Sequence, residues 1–249
     1  MKVIYHPRYE EVYTSDPAAS VGRMESIIKE ILPRFQIVTA ESAAVDDIRL
    51  VHSDEHLRYM QRMGLTYEIA LLAAGGAIKA AELAVSGQPA FGLIRPPGHH
   101  ASRDHCWGFC FFNNIAISIA KLRKDEKIKT AMILDIDLHF GDGTADIFGN
   151  VPEVVYSHPE SRDRQQFVDS ISQFLVRTKA DVVAVSAGFD RHELDWGGLL
   201  KTEDYQTIGK LVKEFAQRVC QGRRYGVLEG GYNHSVLGRN VKALLEGMS

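Results

Sequence analysis

Cysteine is scarce in this chain of 249 residues: Cys106, Cys110 and Cys220 are too few, and odd in number, for a disulfide framework. Cys106 and Cys110 lie four apart, with no second cysteine or histidine pair spaced to complete a structural zinc site. Free thiols are expected, and they suit a reducing compartment such as the cytoplasm. No uncharged apolar stretch is long enough to span a bilayer, and Met1-Lys2-Val3-Ile4-Tyr5-His6-Pro7-Arg8 lacks the apolar core of a secretory signal. Excess positive charge is missing too. A formal net charge of -3 and a pI near 6.4 give no support for direct nucleic-acid binding. Repeats, low-complexity tracts and long linkers are likewise absent, so residues 1–249 are expected to form one domain.

What the chain has in quantity is alternation. Short β-rich runs at Lys2–Tyr5, Gln36–Thr39, Ala90–Ile94, Thr130–Ile136, Val154–Ser157, Asp181–Ser186 and Tyr225–Leu228 alternate with longer helical patterns. The helices are expected at Ser20–Leu32, Asp54–Met63, Tyr67–Ser86, Asn113–Lys124, Gln165–Thr178, Glu203–Gln221 and His234–Gly247. Several strands are continuous apolar runs, as when both faces of a parallel sheet are covered. The expected fold is α/β: a three-layer, doubly wound, mostly parallel sheet. Gly75-Gly76 inside the third helical pattern costs about 1 kcal/mol each relative to alanine, and close approach of another backbone would explain the pair.

Polar clusters follow four of the strands: Arg95-Pro96-Pro97-Gly98-His99-His100-Ala101, then Asp135-Ile136-Asp137-Leu138-His139-Phe140-Gly141-Asp142-Gly143, then Ser186-Ala187-Gly188-Phe189-Asp190, then Leu228-Glu229-Gly230-Gly231-Tyr232-Asn233. In open α/β sheets, ligands bind at the carboxyl ends of the strands. Asp137 and His139, two apart in an extended segment, can face one ion, and Asp190 can add a third ligand from a neighbouring strand. Three N/O ligands leave a position open for water and substrate, the pattern of a catalytic zinc, with Fe(II), Mn(II) or Co(II) also compatible. Taken singly, each element has a plainer meaning: Asp-X-Asp is a common turn or cap, Pro-Pro-Gly a loop, Asp190 a turn cap. Their joint order is what points to chemistry.

Hydrolysis at such an ion needs a base and an acid, and His99 and His100 are the candidates. Asp135 and Asp142 flank the ligands, and either can fix a histidine's tautomer. A tight turn after Gly98 is needed to aim both rings inward. Gly230 and Gly231 let backbone pass close to a ligand, and the Tyr232 hydroxyl can donate to a tetrahedral oxyanion.

These stretches, with Gly108-Phe109 and Asn113-Asn114, resemble the zinc-dependent histone deacetylase and acetylpolyamine amidohydrolase superfamily, which shares the arginase-like fold. The likeness runs from Tyr5-His6-Pro7 to the C-terminal helix. It implies zinc on Asp137, His139 and Asp190, and His100 as the main base, with His99 as its electrostatic partner. It pairs Asp135 with His99 and Asp142 with His100, and makes Tyr232 the group that polarises the amide carbonyl. Gly108 and Phe109 would line the channel for the acyl-amine. A potassium ion would lie beside the zinc at Asp135, Asp137, His139, Ser157 and His158, largely through backbone carbonyls.

The chain departs from that pattern in three places. It passes from Tyr156-Ser157-His158-Pro159-Glu160 almost directly into a helix near Asp163, where relatives carry a long glycine-rich loop that walls the channel. The segment before Ala73 is also short. Asp195-Trp196-Gly197-Gly198-Leu199 replaces the usual Asp-Pro-Leu-Gly-Gly, and Trp196 either replaces the missing wall or covers the core. The expected function is removal of an acetyl group from lysine side chains. Alternatives are a deacetylase of acetylpolyamines or another small acylated amine, and a non-catalytic module that binds acylated amines. The expected partners are an acylated protein or small amine and a further copy of the chain, with neither membrane nor nucleic acid.

Overall fold

The seven β-rich runs become seven strands: β1 Lys2–Tyr5, β2 Gln36–Thr39, β3 Ala90–Gly92, β4 Ala131–Asp135, β5 Val154–Ser157, β6 Val182–Ala187 and β7 Arg224–Leu228. In the computed structural model, which describes residues 1–32 and 34–249, they form one sheet in the order β2-β1-β3-β7-β6-β4-β5. Every pairing is parallel. Every residue of β3, β4, β6 and β7 is buried, whereas the edge strands β2 and β5 are partly exposed. That contrast follows from helices on both faces, and it explains why the central strands read as unbroken apolar runs. Burying each valine, leucine or isoleucine fully contributes roughly 1.5–3 kcal/mol, so strands such as Val182–Ala187 are held by packing as well as by the ladder.

Nine helices surround the sheet among the described residues: α1 Arg23–Ile31, α2 Val45–Ile48, α3 Asp54–Gln61, α4 Leu65–Val85, α5 Asn114–Lys124, α6 Asp142–Phe148, α7 Arg164–Arg177, α8 Thr202–Val219 and α9 His234–Met248. Seven correspond to the sequence patterns. The two short ones, α2 and α6, were not expected, and α6 begins at Asp142 where Gly-Asp-Gly reads as a turn. Ser53, Asn113, Asp163 and Asn233 each accept a backbone N–H at a helix start, as capping residues do. Helix α4 packs on β1, β3 and β7 and is rich in buried alanine. The close approach expected at Gly75 is present: a Cβ there would stand 1.8 Å from the Glu41 carbonyl oxygen. Only three residues separate α3 from α4, and only six separate β5 from α7, so both shortened segments are short in space as well. No helix among the described residues is long and apolar enough to cross a membrane.

The sheet order decides where the site forms. The last strand, β7, lies between β3 and β6, with β4 beyond β6. Residues after β3, β4, β6 and β7 therefore emerge side by side from one edge, although up to 139 positions apart in sequence between Arg95 and His234.

Candidate active site

The two histidines point the same way because the chain turns at them. The Ala101 N–H donates to the Gly98 carbonyl, placing His99 and His100 at the centre of a β-turn. Their ring centroids are 4.1 Å apart. The turn is clamped from three sides. Glu229, fully buried, accepts the N–H groups of Gly98 (2.7 Å) and His99 (3.2 Å). The Thr144 N–H donates to the His99 carbonyl, and Asn113 Nδ2 donates to that of Ala101. Behind the rings, Asp135 Oδ2 lies 3.0 Å from His99 Nδ1, and Asp142 Oδ1 lies 2.7 Å from His100 Nδ1. Spacing alone left open which aspartate meets which histidine, and the pairs found are those the family resemblance implies. Position on the strand decides it: Asp135 ends β4 and is buried, while Asp142 starts α6 at the rim.

Asp137, His139 and Asp190 bring one ligand atom each within 4.8 Å of one another. Backbone amides hold the carboxylates: Gly230 N–H on Asp137 Oδ2 (2.8 Å) and Leu138 N–H on Asp190 Oδ1 (2.9 Å). Among the described residues Asp190 Oδ2 is buried without a hydrogen-bond partner, and His139 Nδ1 lies 3.0 Å from it. A buried carboxylate oxygen left bare is costly unless a cation takes it, so two carboxylates and an imidazole facing one point fit a divalent metal. Without that metal, the Asp137 and Asp190 carboxylates push His139 up to about 10. Burial and the charge of Asp137 raise Asp190 to about 7. A metal bound there would displace these protons. We expect zinc uptake at pH 8 to release about one proton, and more below pH 7, with apparent affinity rising with pH. Calorimetry in buffers of different ionisation enthalpy measures this, and uptake without proton release would remove His139 from the ligands.

A second group, His99, Cys110 and Glu229, also brings potential ligand atoms together, but its imidazole and carboxylate are engaged by Asp135 and by the turn amides. All three cysteines are free, with Cys106 half-buried and the others buried.

Over the cluster opens a cavity of 140 Å³ lined by Pro97, His99, His100, Trp107, Gly108, Phe109, His139, Trp196, Gly230 and Tyr232. Gly108 has φ 59°, and a Cβ there would come 2.6 Å from the His100 ring, so this close left-handed turn demands glycine. Phe109 also has positive φ, 67°, which is uncommon for a bulky residue and aims its ring edge-on to Tyr232. Trp196 does not cover the core. It is 53% exposed, stacks on Tyr232 at 4.1 Å and lines the cavity. Gly231 is not a lining residue; Gly230 is, while the Gly231 carbonyl turns away to accept from Arg23 (2.9 Å).

No hydrogen bond among the described residues engages the Tyr232 hydroxyl. Burial, then the charge of Asp137, raises its pKa well above the phenol range, so it stays a donor. Its backbone is fixed by Asp195, whose Oδ2 accepts the N–H groups of Tyr232 and Asn233, both at 2.8 Å. Opposite, burial and then the neighbouring His99 hold His100 below the ordinary imidazole value. His99 moves the other way, since Asp137 and Asp135 outweigh its burial and raise it well above that value.

Several contributors escaped the sequence reading. Trp107, 49% exposed, packs on the His100 ring at 4.2 Å and donates Nε1 to Asp142 Oδ2 (2.8 Å). The Tyr156 hydroxyl donates to Asp135 Oδ2 (2.9 Å). Arg191 donates Nε to the Asp137 carbonyl (2.9 Å). Each acts through a residue the motifs had named, and no spacing rule links Trp107 to Asp142 or Arg191 to Asp137. Ser157 ends β5 and His158 follows it, and His158 Nε2 faces Arg191 at 3.0 Å.

The family model described as "Histone deacetylase domain" matches residues 63–167 and 158–248. The two matches meet at 158–167, where the chain passes from β5 to α7 without the long loop. Among curated proteins, the chain is 30% identical to a "Probable deacetylase" of Methanothermobacter thermautotrophicus, over all of this chain and 90% of that protein. It is 30% identical to "Histone deacetylase 10, chloroplastic" of Oryza sativa, over 83% of this chain and 61% of that one. It is 31% identical to the "Acetylpolyamine amidohydrolase" of Mycoplana ramosa, over 74% and 64%. Among solved structures, the "HDA15 HD domain" superposes with a TM-score of 0.83 at 22% identity, over 99% of this chain and 90% of that one, and shares the fold.

Proposed function

The chain belongs to the histone deacetylase family, and from that membership we propose a zinc-dependent deacetylase that acts on acetylated lysine side chains. The observation that carries the reading is that one small cavity is lined by His139 of the Asp137–His139–Asp190 cluster, by His100 with its Asp142 partner behind it, and by Tyr232, whose hydroxyl has no partner among the described residues. A module that only binds acylated amines needs none of the proton-handling pairs. Residues 1–249 form one sheet with one such edge, which supports a single catalytic domain. Free thiols support a cytoplasmic setting.

The side chains divide the work. Phe109, Trp107 and Trp196 flank the aliphatic stem of the acyl-amine. The Tyr232 hydroxyl donates to the amide oxygen as it gains charge. His100 has Nδ1 engaged by Asp142, which leaves Nε2 to accept a proton from the attacking water; its depressed pKa keeps it neutral and ready near pH 7. The same proton then goes to the departing amine. His99, held between Asp135 and Asp137, places positive charge behind this exchange. A divalent ion held by Asp137, His139 and Asp190 supplies Lewis-acid polarisation of the carbonyl and a more acidic water; zinc suits the set best, and Fe(II) or Co(II) also suits it. The potassium expected at Asp135, Asp137, His139, Ser157 and His158 meets a different situation. Protein groups already take the Asp137 carbonyl and the Asp135 carboxylate, so these groups do not fit a further monovalent ion.

Acetylpolyamines are the second reading, favoured by the likeness to the Mycoplana ramosa protein. Against it, the exposed tryptophans and short loops leave the cavity mouth at the surface, where a lysine on a protein can reach it. The test is acetate release from acetyl-lysine peptides against acetylputrescine and acetylspermidine, with enzyme reconstituted in zinc, iron or cobalt. We expect kcat/KM for the best peptide to exceed the polyamines by about tenfold, a difference of ~1.4 kcal/mol. The reverse order transfers the assignment to polyamines, and no acetate from any substrate removes it.

A further inference from the structure

Arg191 follows the ligand Asp190 and is buried, 5% exposed. Its guanidinium lies within 4 Å of no carboxylate among the described residues. Instead it donates to neutral acceptors: Nε to the Asp137 carbonyl (2.9 Å), and one terminal nitrogen to the Pro159 carbonyl (3.2 Å) and to His158 Nε2 (3.0 Å). Its carbon sits 4.8 Å from the centroid of the Phe167 ring. A buried charge without an ion pair is expensive and must find compensation at longer range. Burial works against the Arg191 charge and lowers its pKa, while Asp190, Asp137 and Asp135 work in its favour. Compensation is mutual.

From this geometry we infer that Arg191 is a built-in counterion for the loaded metal site, replacing a bound monovalent cation beneath Asp137. The inference rests on the metal reading above. Arg191 is a positioning residue: it holds the Asp137 carbonyl, steadies the Asp137–Leu138–His139 segment, and balances charge without touching substrate. Two of the groups that would bind a monovalent ion there are closed by the protein itself. The Asp137 carbonyl is closed by Arg191. The Asp135 carboxylate is closed by His99, Tyr156 and the Asp137 N–H. The short passage from β5 to α7 allows the arrangement, since it brings Pro159 and Phe167 close enough to seat the guanidinium.

The test compares potassium chloride with tetramethylammonium chloride at equal ionic strength. It reads zinc affinity by chelator competition, the Co(II) absorption spectrum, and acetate release. For the unaltered protein, affinity and spectrum should be the same in both salts. For Arg191→Ala, zinc affinity should fall about 10-fold or more in tetramethylammonium, the range seen when groups that orient metal ligands are removed. Added potassium or guanidinium should restore part of it, and Arg191→Lys should keep most of it. Zinc affinity of the unaltered protein that rises severalfold with potassium overturns the inference and leaves the metal reading standing. So does an Arg191→Ala protein that folds and binds zinc normally in tetramethylammonium. Failure to bind zinc or cobalt in either salt overturns the metal reading and the inference with it. Because the comparison of salts needs only the unaltered protein, a misfolded Arg191→Ala still leaves a decisive result.

Discussion

Replacing Tyr232 by phenylalanine should lower kcat by about two to three orders of magnitude while zinc content stays unchanged, the usual cost of losing one donor to a developing oxyanion. The expectation rests on geometry. Tyr232 lines the cavity over the ligand cluster, its hydroxyl has no partner among the described residues, and burial keeps it protonated. The substitution removes only that hydroxyl. Stacking on Trp196 and the backbone bonds to Asp195 are retained, so folding stability should change little. Because the donor acts as charge develops on the oxygen, KM should move far less than kcat. Near-normal turnover in Tyr232→Phe would remove this residue from the chemistry.

The second large effect is expected at Asp190. Asp190→Ala should leave the protein with almost no bound metal and no measurable acetate release. Asp190 supplies a buried carboxylate oxygen that no hydrogen bond satisfies among the described residues, so its removal takes away a proposed ligand more than a structural contact. One amide, Leu138 N–H, is left without an acceptor, at a cost of about 1–3 kcal/mol. Relief of the repulsion between Asp190 and Asp137 offsets part of that. The alanine protein should therefore fold. Elemental analysis and a thermal melt separate the cases: a folded protein with full metal occupancy takes Asp190 out of the ligand set, and an unfolded one is replaced by Asp190→Asn, which keeps an acceptor for Leu138.

Much of this was legible from residues alone, for identifiable reasons. The seven strands were readable because unbroken apolar runs such as Val182–Val185 have few other uses in a chain with helices on both faces of its sheet. Gly75 signalled a crossing backbone because glycine in a helix needs a reason. Asp137 and His139 could be proposed as ligands because they are two apart on one extended segment, and the structure brings them together with Asp190. Helix α6 was not, because Gly141-Asp142-Gly143 has turn chemistry and becomes helical only where its residues pack beside the histidine turn. Both Gly230 and Gly231 were expected close to a ligand, yet Gly230 lines the cavity while the Gly231 carbonyl accepts from Arg23; adjacent glycines carry no sequence mark of which one meets the cavity.

The order of polar clusters behind buried strands determined, without any structure, that the candidate metal-binding and proton-handling residues lie on one edge of a parallel α/β sheet, since local propensity and ligand chemistry are written residue by residue. Only the tertiary structure decided who stands beside whom. Inserting β7 between β3 and β6 sets Tyr232 opposite His100, pairs Asp142 with His100 and Trp107, and seats the Arg191 guanidinium under Asp137. Those neighbours meet through packing between distant segments, and such contacts have no period or spacing in the chain.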